Sequence, residues 1–524
     1  MLHQTSYTVA LRLPPHMRPP MCLQYIVMAA AAATSETYRH LSEPYYQRAR
    51  VYAETDELKG QGETFTTVEH VQSWCLISAY ECHVYAMFTR ASTSLCRAVR
   101  IAQMLQLHQL DMQHPEQVHI GLPPPRNITE AEERRRTWWV VFLADRYLTS
   151  TTGWPSLVDE RHVRTELPAS EESFSTGILE RPFNLSEGLR ALEEGRGHEI
   201  SSLAVRILAA NELLHTLDHS SRSHHSHIGG MSNVEERQYW QRHREIDGSL
   251  KALTSCLPER LHLSQNPRSL DAILVHVSTN MAMIQLHRTA LGHTQRQPQD
   301  LELTSGSQAH LLPAADNIVA VFRAAGDGVG SAIRNPILSF AAYMAASVFL
   351  ENHLHAVSHG IGHPTTHSRA QQSKDSLDFL AQILVFFGKN SPLVRANAFQ
   401  LASDMQRTGY DASMMITVMN QLVTFGGSAS QILRTGSKSL PMFFCPALTT
   451  VHKPLDASTL DRSMDSPPDV YDSSNLSMMS SITSFVPWPS TVSHSDTLSR
   501  LQAGSSSGQF SQFSGRASLS FSGK

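Results

Sequence analysis

The sequence predicts an all-α fold, with a large multi-helix body followed by a disordered C-terminal tail. Three observations predict it. Apolar residues recur at steps of three and four through most of the chain, the spacing that lines one face of a helix. Strict alternation, the mark of a half-buried strand, is scarce. From about residue 435, Ser, Thr, Gly and Pro dominate, and such a tail cannot bury enough apolar area to offset the entropy of ordering.

Taken in order, residues 1–18 contain Pro14-Pro15, with Pro19-Pro20 just beyond, and read as a disordered N-terminus. Residues 19–434 read as one helical domain, and 435–524 as the tail. The apolar run Met21–Met28 with Ala29–Ala33 is shorter than the ~20 residues a membrane span needs, so it reads as a buried helix. From Arg90 to Leu107, Ala91, Leu95, Ala98, Ala102 and Leu105 form one stripe. Between Thr129 and Ser150, Thr129 offers a cap with Glu132 three residues on, the spacing of a capping box. Trp138, Val141, Phe142, Asp145 and Leu148 follow on one side, and Gly153 with Pro155 ends the helix. Further helices fit Leu203 to Leu217, Glu235 to Leu253, Leu270 to Leu291, Ala314 to Ala325, Ile337 to Leu354, Ser376 to Phe387 and Leu393 to Met405. Loops are expected near 169–200, 220–233, 292–312 and 356–373.

Composition excludes some chemistries. The formal charge of -4 lacks the concentrated basic surface that many phosphate contacts require. The six cysteines, Cys22, Cys75, Cys82, Cys96, Cys256 and Cys445, include no C-x-x-C pair, so no structural zinc site is expected from them and they read as reduced and buried. A nucleophile elbow, phosphate-cradling glycine loop, dinucleotide fingerprint and H-E-x-x-H helix are all missing, so no catalytic residue is named. The 28 histidines include two clusters, His215, His219, His224, His225 and His227, then His353, His355, His359, His363 and His367. Their positions in Ser- and Gly-rich loops favour compositional drift over metal ligation.

The charge run Arg134-Arg135-Arg136 is expected to pair with Glu130, Glu132 or Asp145 while its stems cover apolar surface. Asp145 and Arg146, on the core side of a helix, need each other or other partners. Trp138 and Trp139 are adjacent, so one is expected in the core and the other in an adjoining groove.

The stretch Glu132-Glu133-Arg134-Arg135-Arg136-Thr137-Trp138-Trp139, through Asp145-Arg146-Tyr147 to Gly153-Trp154-Pro155-Ser156-Leu157-Val158-Asp159, resembles the middle-homology segment of fungal zinc-cluster (six-cysteine) transcription factors. The preceding Arg97-Ala98-Val99-Arg100-Ile101-Ala102-Gln103-Met104-Leu105 and Leu107-His108-Gln109-Leu110-Asp111 agree, with Gln106 where the family usually has Gly. Tyr45–Arg50, Tyr239–Asp247, Asn335-Pro336 and Lys389–Leu393 also look like the family. The resemblance covers residues 20–405 and is densest over 71–168; Arg134, Arg135, Arg136, Trp138, Trp139, Asp145, Arg146, Gly153 and Pro155 carry its signature.

The resemblance implies a nuclear regulator of RNA polymerase II transcription, pathway-specific, whose helical body restrains or licenses an activation segment. It implies DNA contact through a basic module in which six cysteines hold two zinc ions. That module has no counterpart in this chain, which is expected to be truncated; the alternative is a regulator that works without its own reader. Zinc is expected only in that missing module, and DNA is reached through it or through a partner factor. Other expected partners are coactivators or repressors and a second copy of the chain, with no membrane. In the tail, 455–490 intersperses Asp456, Asp461, Asp465, Asp469 and Asp472 with apolar residues, as acidic activation segments do. The remaining alternatives are an interaction protein that modulates an intact factor and an all-α metal-dependent enzyme.

Overall fold

In the computed structural model, long helices whose residues bury on every side form the centre, and amphipathic helices surround them. The structure describes residues 1–411 except 36, 61–64, 113–121, 181–182, 226–231, 295–300, 327–334, 359–363 and 389–391. The tail from 435 and its acidic segment 455–490 lie outside the described residues. Among those described there is no strand.

The helices run α1 Gln4–Ala10, α2 Met21–Thr34, α3 Ser42–Lys59, α4 Val68–His83, α5 Phe88–Met104, α6 Ile128–Thr152, α7 Glu171–Thr176 and α8 Leu185–Glu193. They continue α9 Ser202–His225, α10 Asn233–Ser255, α11 Leu270–Thr294, α12 Leu301–Ala325, α13 Pro336–Ser358, α14 Pro364–Gly388 and α15 Pro392–Arg407. The all-α expectation stands.

Packing follows residue pattern. α2 buries Cys22, Leu23, Ile26, Ala29 and Ala33 along one stripe and pairs with α3, as its periodicity requires. α4 pairs with α5, α11 lies between α9 and α12, and α13 packs on α14 and α15. At the junction of these groups is α6, which touches α4, α5, α9 and α13. Every residue from Arg136 to Thr152 is buried. A helix buried all round needs apolar residues on all faces and partners for each polar one. α13 is long and apolar enough to cross a membrane by length and composition, yet 78% of its most apolar window is buried in the fold. It is a core helix here.

Several local expectations are corrected. Residues 1–18 are not structureless: α1 is capped by His3, whose Nδ1 accepts from the Ser6 N–H at 3.3 Å, and Met1 is 1% exposed within the main core. Apolar Met1, Leu2 and Tyr7 dock on that core, a tertiary contact that a proline-rich composition conceals. α6 is capped by Asn127, which accepts from the Glu130 N–H at 2.8 Å, and not by Thr129. Asn caps better than Thr, and the earlier start releases Glu132 to pair inside the core. The expected loops are partly helical. α7 and α8 fall in 169–200, α9 runs on to His225, α12 starts at Leu301 and α14 at Pro364. In α8 a capping box, Asn184 with Glu187, sets a start that weak apolar patterning did not announce, and in α10 the box of Ser232 with Glu235 opens the expected helix at Asn233.

Candidate regulatory site

The signature residues of α6 form two polar networks, one at each end of the helix. At the N-terminal end, Glu132 is 3% exposed and accepts from Arg136 Nε at 2.9 Å and from Arg135 Nη1 at 2.9 Å. Arg135 also grips Asp111 with two bonds, Nη2 to Oδ1 at 2.6 Å and Nε to Oδ2 at 3.1 Å. Burial opposes the Arg135 charge, but Asp111 and Glu132 outweigh it and raise its pKa. Arg136 extends to Glu171 and to the Ala169 and Ser170 carbonyls, and lies over the Phe174 ring at 4.1 Å. Arg134 takes Glu130 and the Pro123 carbonyl, each at 2.7 Å. The triplet therefore pairs with Glu130 and Glu132, as expected, but not with Asp145, which sits about three turns further along the helix.

The two tryptophans both belong to the core, at 1% and 0% exposure, correcting the expectation that one fills a groove. Burial on all sides of α6 removes the distinction between faces. Trp139 Nε1 donates to the Glu166 carbonyl at 2.6 Å, and Trp138 packs by His108.

At the C-terminal end, Gly153 adopts φ 71 and donates its N–H to the Thr149 carbonyl at 2.8 Å. A side chain is strained in this left-handed conformation, which turns the chain into Pro155 and back along α6. The returning segment delivers the N–H of Leu157 to Asp145 Oδ1 at 2.9 Å and the Ser156 hydroxyl to Oδ2 at 2.6 Å. Arg146 donates through Nη1 to Asp145 at 2.8 Å and to the Val158 carbonyl at 3.0 Å, and through Nε to Asn211 at 3.1 Å. Burial pulls the Arg146 pKa down; Asp145 works against that.

Asn211 carries the network onward to Glu160, which also takes His215 Nε2 at 2.8 Å; His215 Nδ1 meets Glu212 at 3.2 Å. Burial opposes charge on both, yet these bonds raise His215 to about 10 and hold Glu160 at about 2. His215, noted in the sequence as a metal candidate, is an ion-pair partner here and doubly protonated at neutral pH.

Between the two networks opens a cleft of about 850 Å³. Asp111 and Glu166 line it from the Arg135 side, and Glu160, Asn211, Glu212 and His215 from the Arg146 side, with Val163, Leu185, Leu189 and Leu208 apolar. It offers charged acceptors and an imidazolium beside an aliphatic wall, suited to holding a polar organic ligand by several hydrogen bonds. A smaller pocket of about 260 Å³ borders the Gly153–Ser156 turn, with Trp154, Leu214, Leu217 and Asp218 in its lining. Of the cleft residues, only Asp111 and His215 drew notice in the sequence; Glu160, Glu166, Asn211 and Glu212 carry no local pattern.

The other histidines divide. His219 is buried and stacks on Tyr239 at 4.5 Å, and Tyr239 stacks on His293 at 4.3 Å. His243 lies 5.6 Å from His287, which stacks on His310 at 4.4 Å. This aromatic layer draws on α9, α10, α11 and α12, so sequence clustering did not reveal it. His353 packs edge-on against Tyr410. His227, His359 and His363 lie outside the described residues, as does Cys445. Among the described cysteines, Cys96 is exposed and Cys256 intermediate, correcting the expectation of burial throughout; Cys22, Cys75 and Cys82 are buried. No group of cysteines converges among the described residues, so they do not fit a six-cysteine zinc cluster.

Residues 1–227 match the fungal specific transcription factor domain family. The chain is similar to a pigment biosynthesis transcriptional activator of Monascus ruber, 28% identical over 231 residues, which are 44% of this chain and 40% of that protein. It is similar to a citrinin biosynthesis transcriptional activator of Monascus purpureus, 31% identical over 176 residues, 34% of this chain and 30% of that protein. An azaphilone cluster-specific transcription factor of Aspergillus niger is 27% identical over 304 residues, 57% of this chain and 63% of that protein. The chain thus spans less than two thirds of the length of these relatives. No solved structure matches it.

Proposed function

From the match of residues 1–227 to the fungal specific transcription factor domain family, we propose that the chain is a pathway-specific regulator of RNA polymerase II transcription, acting in the nucleus. The observation that carries this reading is the naming of its relatives, activators or factors of pigment, citrinin and azaphilone pathways. The geometry of α6 agrees. Arg134, Arg135 and Arg136 hold carboxylates and carbonyls inside the fold, which suits a scaffold and leaves them unavailable to phosphates. With a formal charge of -4, DNA contact falls to a zinc-cluster module of the kind the resemblance implies, or to a partner factor.

The regulatory body has no catalytic task in this reading. A signal reaches it through the cleft between the Arg135 and Arg146 networks, where a ligand that prefers one arrangement of α6 and α9 shifts their balance. The acidic segment 455–490 then engages a coactivator. Deleting the coding sequence in the host fungus and sequencing its RNA tests the proposal. Transcripts of one contiguous set of biosynthesis genes should fall and return when the wild-type chain is restored. A transcriptome indifferent to the deletion sinks it.

A further inference from the structure

Three side chains from three helices meet far in sequence from the signature networks. Cys22 is in the first turn of α2, Asp56 near the end of α3 and His70 in the first turn of α4. Their sulfur, carboxylate oxygen and imidazole nitrogen all lie within 4.8 Å of one another, the one such group of potential metal ligands among the described residues.

The surroundings are arranged as a ligand site needs. His70 Nδ1 lies 3.0 Å from Thr67 Oγ1, which orients the ring so that Nε2 faces Asp56 Oδ2 at 3.3 Å. A metal-binding imidazole usually donates its second N–H to such a partner. Cys22 Sγ donates to Ser73 Oγ at 3.3 Å, and Ser73 in turn donates to the Glu69 carbonyl at 2.6 Å. Burial, with Asp56 adding, pushes the Cys22 thiol up to about 11, while the N–H groups at the start of α2 favour its thiolate. A bound cation reverses that balance. Besides its bond to Ser73, the Cys22 sulfur lies within 4.8 Å of both the His70 nitrogen and the Asp56 oxygen, a convergence that the His70–Asp56 pair does not require.

We infer that Cys22, Asp56 and His70 bind one zinc ion, with water in the fourth position, and so tie α2, α3 and α4 together. The charges balance: thiolate and carboxylate neutralise the divalent ion, and the imidazole is neutral. Thiolate with imidazole selects zinc over the hard cations, which take oxygen. As the Zn–S bond forms, the thiol proton passes to solvent. Entry is from the Asp56 side, where the carboxylate side chain is 27% exposed. The site is distinct from the six-cysteine module and shares no residue with the regulatory cleft, so it stands or falls independently of the transcription reading.

Cobalt(II) is the probe. The purified full chain, stripped with a chelator, should take up one equivalent, develop a sulfur-to-cobalt charge-transfer band, and lose it to added zinc. Cys22→Ser and His70→Gln should each abolish the band, while Cys96→Ser, at an exposed cysteine outside the group, keeps it. Asp56→Asn, at the solvent edge where folding is least affected, should weaken cobalt binding by at least the ~10–100-fold that losing an outer-shell partner brings. A wild-type chain with no band, a band that survives Cys22→Ser, or unchanged affinity in Asp56→Asn overturns the site.

Discussion

Arg146 Nη1 donates to Asp145 Oδ2 at 2.8 Å, an ion pair between sequence neighbours whose side chains are 1% and 2% exposed. Adjacent helical residues do not ordinarily face each other. These two meet because both reach the same returning segment, Ser156 to Val158, which supplies a hydroxyl, two N–H groups and a carbonyl. The pair joins α6 to α9 through Asn211.

Removing one member leaves a buried charge uncompensated. Asp145→Ala should lower unfolding stability by about 3–5 kcal/mol. Combining Asp145→Ala with Arg146→Met in one chain should cost less than the two single changes added together. Urea unfolding of the three variants measures this. Strict additivity would mean that the pair does not act as a unit.

The two tryptophans should respond unequally. Trp139→Phe breaks the bond to the Glu166 carbonyl and strands it, at a cost of about 1–3 kcal/mol on top of lost packing. Trp138 Nε1 is buried with no hydrogen-bond partner among the described residues, so Trp138→Phe loses packing alone. Thermal denaturation should rank Trp139→Phe as the more damaging; the opposite order contradicts this account.

Gln106 keeps the left-handed turn at φ 57 despite its side chain. Gln106→Gly removes a strain of about 1–2 kcal/mol and adds unfolded-state entropy of opposite sign. A small rise in melting temperature is expected, and a fall would show that the Gln106 side chain contributes more than its backbone costs.

The histidine layer makes the fold sensitive to mild acid. Burial, the largest cause, depresses His219 and His287 to about 3 and His243 to about 4, from an ordinary 6.5. Asp247 partly opposes this at His243 and His287; Arg222 and Arg242 reinforce it at His219, Lys251 at His243 and His287, and Arg244 and His310 at His243. Depressed values in the folded state mean that the unfolded chain binds protons first, so the layer's contribution to stability is full above pH 6.5 and declines as pH falls toward 4, whereas that of His215, raised to about 10, is full below 6.5 and is lost as pH rises. Glu160, held at about 2, adds its own loss only below its ordinary 4.5. Urea midpoints between pH of about 7.5 and about 5 should drop in the wild type and drop less in His243→Gln. A flat wild-type profile would count against the buried neutral imidazoles.

What the sequence determined by itself was the helical architecture and the identity of the signature helix, because those follow from short-range spacing: the three-and-four stripe of α5, the Gly153–Pro155 stop, the Arg–Glu steps of three and four along α6. Tertiary structure alone decided which distant acceptors meet these arginines, since the carboxylates of Asp111 and Glu171 and the carboxamide of Asn211 reach α6 across tens of residues. It also decided that Asn127 and not Thr129 caps α6, because Glu132 is used inside the core. The cleft, the layer of imidazoles and the Cys22–Asp56–His70 group belong to the same class. Each is built from single residues on separate helices, and no periodicity along a chain encodes a meeting that only packing brings about.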